Sequence, residues 1–197
     1  FSNPPDERTI QMGWAKINMP GMPFTQTFTL PHRLTLRQTP DGIRMFAAPV
    51  KETAKLRKKT HSAEPVDLAD DSGTRVDVSG ELFEIRAEFA VGEARSVGLD
   101  IGGNRITYDV GAGILNGAPM KPVDGRVSMQ VIVDRPMMEI CGNDGAVYIT
   151  TSRKKRGDVP AVTAFAQGGS ARLIKLEVHE LQSIWKKPGS NRSEKSR

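Results

Sequence analysis

Residues 134–152, DRPMMEICGNDGAVYITTS, decide the reading of this chain. Met138 and Ile140, then Val147 and Ile149, alternate with polar or small neighbours, and a period of two is that of a strand with one apolar face. Between the two runs stands Asn143-Asp144-Gly145, residue types that take up the positive φ of a tight reversal at little cost. The stretch predicts a β-hairpin.

The same period extends outward on both sides. Toward the N-terminus, residues 8–16 (RTIQMGWAK), 25–30 (TQTFTL), 34–38 and 43–48 (IRMFAA) alternate between Pro- or Gly-bearing turns, which predicts four strands in a meander. Pro40-Asp41-Gly42 suits the hairpin between the last two. Residues 50–59 (VKETAKLRKK) place Val50, Ala54 and Leu56 to one side of Lys and Glu, the pattern of a short basic linker helix. After a polar stretch at 60–64, alternation resumes over 65–68, 82–90, 96–101, 105–109, 127–134, 137–141, 146–152, 161–167 and 172–181. Nine short strands with turn signals about every ten residues predict an antiparallel sandwich. In 82–90, Phe83, Ile85, Ala87 and Phe89 make a dry face, and Leu82, Glu84, Arg86 and Glu88 a wet one.

Composition bounds the rest. A chain of 197 residues buries about 70% of its unfolded surface, enough for one core and a partial second unit. With 38% hydrophobic and 26% charged residues, 19 Gly and 13 Pro, it reads as globular and turn-rich, and no apolar run is long enough for a membrane span. The net charge of +5 is concentrated in the last twelve residues, which hold five Lys/Arg against one Glu. A Gly/Ser/Lys/Arg segment of this kind is expected to be a disordered basic tail. Aromatic residues are only 6% of the chain and do not interleave the basic clusters at 55–59 and 153–156, which speaks against nucleic acid as a partner. The chain opens on Phe1, so it is expected to be part of something longer.

No group of residues declares a catalytic centre. His32 is expected in a turn, His61 in a polar linker and His179 on the outer face of a strand, with no spacing that would set two imidazoles on one metal. Asp67, Asp70, Asp71 and Gly73 lack the spacing of a calcium loop and read as a solvated turn. Gly111-Ala112-Gly113 and Gly117 are not followed by the helix that a phosphate loop needs. No G-x-S-x-G elbow is present, and Cys141, on an alternating strand, is expected to be buried rather than reactive. Asp134, Glu139 and Asp144 could supply an acid and a nucleophile for glycoside hydrolysis. The plainer expectation is that both Asp serve turns and that Glu139 faces water or a cross-strand cation, Arg153 or Lys154. No cofactor or metal is expected.

Three landmarks carry a family resemblance. The pattern Asp-Arg-x-x-x-Glu-x-x-x-Asn-Asp-Gly from Asp134 to Gly145 resembles one near the end of glycoside hydrolase family 32, the invertases, inulinases and levanases. Residues 7–52, with a GW-bearing strand, a P-G-M-P-F turn, a P-x-x-L-T-L strand and a closing PVKE, resemble the stretch that ends the family's five-bladed β-propeller. The run to Leu181-Gln182-Ser183-Ile184-Trp185 resembles its usual terminus.

The resemblance implies an all-β chain: remnant propeller strands over 1–49, a linker helix and loop over 50–63, a concanavalin- or lectin-like antiparallel sandwich over 64–185, and the tail at 186–197. It implies a parent enzyme that hydrolyses β-fructofuranosyl bonds in sucrose, levan or inulin with retention, in an extracellular or periplasmic setting. The family's three acidic motifs, of the types W-M-N-D-P-N-G, R-D-P and E-C, do not occur here, so no catalytic residue is carried over. Fructan or sucrose would be met through the propeller, on which the sandwich would pack. Trp14 lies on a strand whose family counterpart leads toward the fructose pocket, and it is the one candidate substrate contact. Its alternative is a place in the blade core. The sandwich itself is either a brace for the propeller or a sugar-binding module with sparse aromatics, Tyr108, Tyr148 and Trp185.

Overall fold

A computed structural model describes residues 6–18, 25–154 and 157–184. Trp185, the expected tail and half of the 153–156 cluster lie outside these residues. The front of the chain forms β1 (Thr9–Gln11), β2 (Trp14–Ala15), β3 (Thr27–Phe28), β4 (His32–Thr39) and β5 (Gly42–Pro49). A 3-10 turn at Lys51–Leu56 leads into β6 (Arg57–Ala63), β7 (Val66–Leu68), β8 (Gly73–Asp77), β9 (Leu82–Ala90), β10 (Ser96–Ile101) and β11 (Asn104–Asp109). The remainder is β12 (Ile114–Leu115), β13 (Ala118–Pro119), β14 (Arg126–Asp134), β15 (Met137–Gly142), β16 (Val147–Ser152), β17 (Ala161–Gln167) and β18 (Ala171–Leu181).

The strands from β6 onward build the antiparallel sandwich that the alternation predicts. One sheet runs β16-β15-β14-β9-β18-β6 with β7 also beside β18, and the other runs β13-β12-β11-β10-β17-β8. Phe83, Ile85 and Phe89 of β9 and Val127, Val131 and Val133 of β14 meet Val97, Leu99 and Ile101 of β10 and Val162 and Ala164 of β17 in one core. In β18 the phase shifts at a bulge between Leu173 and Lys175, so that Leu173, Leu176 and Val178 all point inward. The front strands make a separate three-stranded sheet, β1-β4-β5, and the β2-β3 pair. Thr39 pairs with Gly42, whose φ of 92° closes the expected Pro40-Asp41-Gly42 hairpin.

Several local expectations need correction. The single strand expected at 8–16 is two, β1 and β2. The break falls at Gly13, whose N–H donates to Thr29 Oγ1 at 2.7 Å and whose carbonyl accepts from Thr29 N–H at 2.9 Å, drawing the second half toward β3. The linker helix is a six-residue 3-10 turn, and residues 57–63, expected as helix end and polar linker, form β6 on β18. Tertiary pairing overrides a helical pattern that rests on three apolar residues. Arg57 Nε and Nη2 each lie 2.7 Å from a carboxylate oxygen of Glu84. Glu84 is thereby only 1% exposed, although it sits on the face of β9 expected to be wet. Burial by itself would raise its pKa, but Arg57 and Arg86 outweigh it and hold the carboxylate below its ordinary range. Strand β8 and the β12-β13 hairpin were missing from the expected elements. The hairpin turns on Asn116-Gly117, both at positive φ.

Tyr108 ties that hairpin to the core. It is fully buried, and its hydroxyl donates to the Met120 carbonyl at 3.0 Å. Tyr108→Phe leaves that acceptor without the hydroxyl and is expected to cost about 1–2 kcal/mol, read as a lower urea midpoint at unchanged slope.

Candidate functional site

The hairpin at 134–152 is the surface on which the front strands dock. Gly142 pairs with Val147, and the four-residue reversal between them carries Asn143, Asp144 and Gly145 at φ of 43°, 54° and 100°. Each residue of that tip has a separate task. Asn143 Oδ1 accepts from Ser128 N–H at 2.8 Å and its Nδ2 donates to the Lys121 carbonyl at 2.7 Å, fixing the turn to the sandwich. Asp144 reaches out to Arg37 Nη1 at 2.8 Å, and the same guanidinium lies 4.4 Å above the ring of Phe46. Gly145 abuts the backbone of β5 so closely that a Cβ would sit 2.7 Å from the Ala47 carbonyl oxygen. Lys121 Nζ bonds both oxygens of Asp41 at the tip of the β4-β5 hairpin, at 3.0 and 2.8 Å. At the other end of the hairpin, Met137 is buried with Ala15 and Ile17.

The centre of this seam is a buried carboxylate. Glu139 is only 2% exposed, so the expectation that it faces water, Arg153 or Lys154 is overturned. Its Oε1 accepts from Leu30 N–H at 2.8 Å and its Oε2 from the Tyr148 hydroxyl at 2.5 Å. The Tyr148 ring packs 4.5 Å from His32, which bonds the Leu30 carbonyl through Nδ1 at 3.0 Å. Burial raises the Glu139 pKa, only partly countered by the two donors, and burial also lowers that of His32. The strand β15 is buried along its whole length because the core lies beneath it and the front strands cover its outer face.

The other candidates scatter. Asp134 pairs with Arg135 at 2.9 Å and Asp144 with Arg37, so with Glu139 sealed in the seam the three carboxylates serve three different partners. Cys141 is buried, its thiol pushed up to about 12 chiefly by desolvation, and its sulfur lies 3.7 Å from the Ala47 carbonyl. His32 is buried at the start of β4 rather than in a turn, and His61 lies on β6, 2.7 Å from Glu180. His179 is on the outer face of β18 as expected, yet buried there, 2.8 Å from Thr60 Oγ1. Among the described residues, no group of three or more His, Cys, Asp or Glu is placed to hold a metal ion, and no helix is long and apolar enough to cross a membrane. Asp67, Asp70 and Asp71 bond Arg172, the Gly168 N–H and Gln167 separately. Asp109 Oδ1 accepts from Ala112 N–H at 2.8 Å within the glycine-bearing loop. Arg153, read as part of the basic cluster at 153–156 and as a cross-strand cation for Glu139, is buried and donates instead to the carbonyls of Arg135 and Gly157. Trp14 stands 69% exposed on β2, edge-on to Phe28 at 5.9 Å, with its indole N–H bonded to Gln26 Oε1.

Comparison with known proteins accords with this geometry. The model of the glycosyl hydrolases family 32 C-terminal region matches residues 104–180, from β11 to the end of the sandwich. A levanase of Bacillus sp. strain L7 is 26% identical over 220 aligned positions, covering 94% of this chain and 24% of that protein. A levanase of Bacillus subtilis strain 168 is 27% identical over 213, covering 91% and 32%. The fold superposes on the crystal structure of an exo-inulinase from Aspergillus awamori with a TM-score of 0.75 at 16% identity, over 89% of this chain and 41% of the other. The chain thus spans about a quarter to a third of the length of the levanases it matches. From β11 to β18 the chain matches the C-terminal region of glycosyl hydrolase family 32, and over most of its length it is similar to levanases.

Proposed function

We propose that this chain braces the catalytic part of a fructan-cleaving β-fructosidase and does not itself cleave sugar. In this reading β1 to β5 are the closing strands of a propeller blade, and the sandwich holds them in place through the hairpin at 134–152. One observation carries it: the front sheet is latched to the sandwich by a buried carboxylate, yet leaves large apolar residues in solvent. Leu36 and Met45, direct cross-strand partners, are 75% and 59% exposed, and Ile43, Trp14 and Phe28 are also exposed. Apolar surface of this extent, on β4 and β5 of one small sheet and on the β2-β3 pair, is the surface of an incomplete layer. The levanases and inulinase that the chain is similar to supply the substrate class, β-linked fructose polymers. Trp14, exposed beside Phe28, is the residue assigned to the sugar's surroundings, where an indole offers a flat face and one hydrogen-bond donor.

The test is fructose release from levan, inulin and sucrose by this chain alone and by a protein that also carries the sequence encoded ahead of it. The longer protein is expected to release fructose and the chain alone to remain at background. Release by the chain alone at an ordinary enzymatic rate, or none by the longer protein, overturns the proposal.

A further inference from the structure

The outer face of the six-stranded sheet carries a polar row set by strand register. Arg75 of β8 faces Thr163 of β17, Thr163 faces Asp100 of β10, and Asp100 faces Arg105 of β11. In the adjacent row Phe165 lies between Gly73 and Gly98. The glycines leave a trough for the ring, and a Cβ on Gly98 would stand 2.8 Å from Phe165 Cζ. The Arg105 guanidinium lies 4.1 Å above that ring and donates to Gln167 Oε1 at 2.9 Å. Arg75, Asp100, Arg105, Thr163, Phe165 and Gln167 line a groove of about 620 Å3, open to solvent along its side. The front strands dock on the 134–152 hairpin of the other sheet, with further bonds to Lys121 and the 3-10 turn, whereas this groove lies on the six-stranded sheet.

An exposed arginine clamped by a ring beneath and an amide beside has lost freedom without adding to the core. Such pre-organised donors reduce the entropy that a ligand must offset. The carboxylates of Asp71, Asp100 and Asp158 around the groove disfavour a phosphate-bearing partner, whereas mixed guanidinium, carboxylate, amide and hydroxyl groups match the donors and acceptors of neutral polyols. The ring type can be narrowed as well. Pyranoses present a flat apolar face that stacks on an exposed aromatic platform, but here Phe165 is covered by Arg105 and only 7% exposed. A furanose, ringed by hydroxyl and hydroxymethyl groups, offers its edge groups to these donors and acceptors without needing such a platform.

The geometry points to a second carbohydrate site, a groove on the distal sheet that holds a chain of β-linked fructofuranosyl units. This assignment rests on the fructan reading above for its substrate class, and it adds a place where the polymer is held away from the reacting bond.

Affinity electrophoresis of the 197-residue chain through gels containing levan or inulin tests it. Retardation by at least one fructan is expected, with Arg105→Ala weakening binding about tenfold or more through loss of charged hydrogen bonds. Arg105→Lys, which keeps the charge and loses the planar fork, is expected to fall between. Thermal midpoints of both variants should match the parent, since the side chain lies outside the core. No retardation by either fructan, retardation unchanged in Arg105→Ala, or equal retardation by dextran and xylan overturns the groove assignment. Those failures leave fructose release by the longer protein untouched, and loss of that release leaves the binding result standing.

Discussion

Gly98→Ala is expected to lower the unfolding free energy by about 3 kcal/mol or more and the melting temperature by about 10 °C. The cause is space. A Cβ on this residue would stand 2.1 Å from the Ile106 carbonyl oxygen, an atom of the neighbouring strand's backbone, and 2.8 Å from the Phe165 ring. A backbone oxygen in a hydrogen-bonded ladder cannot rotate away as a side chain does, so β10 and β11 must part. Every contact of Val97, Leu99 and Ile101 beneath them then loosens, and a close-packed interior transmits that strain. Thr107→Ala, at the residue directly opposite Gly98, is the control and should lie within about 1 kcal/mol of the parent. Differential scanning calorimetry of the two variants decides it, and a Gly98→Ala midpoint within 2–3 °C of the parent, as a rough threshold, would sink the argument.

The second large effect is expected at Glu139. Glu139→Ala strips the acceptor from both the Leu30 N–H and the Tyr148 hydroxyl in a buried seam, and should cost about 2–4 kcal/mol, concentrated in the docking of the front strands. Limited proteolysis should then cut within residues 18–56 while the sandwich survives. Glu139→Gln keeps an acceptor for Leu30 and serves as the probe of charge. Burial raises the carboxyl above its ordinary 4.5, so its contribution to stability is full below that value and is lost as pH climbs through the elevated pKa. The parent's stability relative to Glu139→Gln should therefore fall as pH rises from about 4.5. Glu84 works in the opposite sense, because Arg57 and Arg86 hold its pKa low, and its contribution is lost on acidification. Urea denaturation across that pH range distinguishes the two, and a difference between parent and Glu139→Gln that stays flat or grows with pH refutes the assignment.

Most of the fold was legible because alternation is a local signal. Apart from the short β12 and β13, the strands from β9 onward fall within a residue or two of where the apolar period places them, and Asn143-Asp144-Gly145 marked its reversal by residue type alone. The misses have a common cause. β6 reads as a basic linker until β18 supplies a partner, and β8, GTRVD, has a single buried apolar residue, Val76. Glu84 and Glu139 look like solvent-facing members of alternating strands. Each is buried only because a residue distant in sequence, Arg57 or Leu30, covers it. One signal could have pointed to the seam: a Glu inside a run with no polar neighbour on β15. The groove on the distal sheet was illegible for a related reason. Arg75, Asp100, Arg105 and Thr163 are unremarked in four separate segments, and only the register of β8, β17, β10 and β11 sets them in a row.

The seam joins residues that lie far apart along the chain: Leu30 with Glu139 across 109 positions, Arg37 with Asp144 across 107. Chains are made from the N-terminus, at about 5–20 residues per second, so the latch closes roughly 5–20 s after its first half has been synthesised. Throughout that interval the sheet that bears Leu36, Ile43 and Met45 has neither Glu139 nor Asp144 to hold it in place.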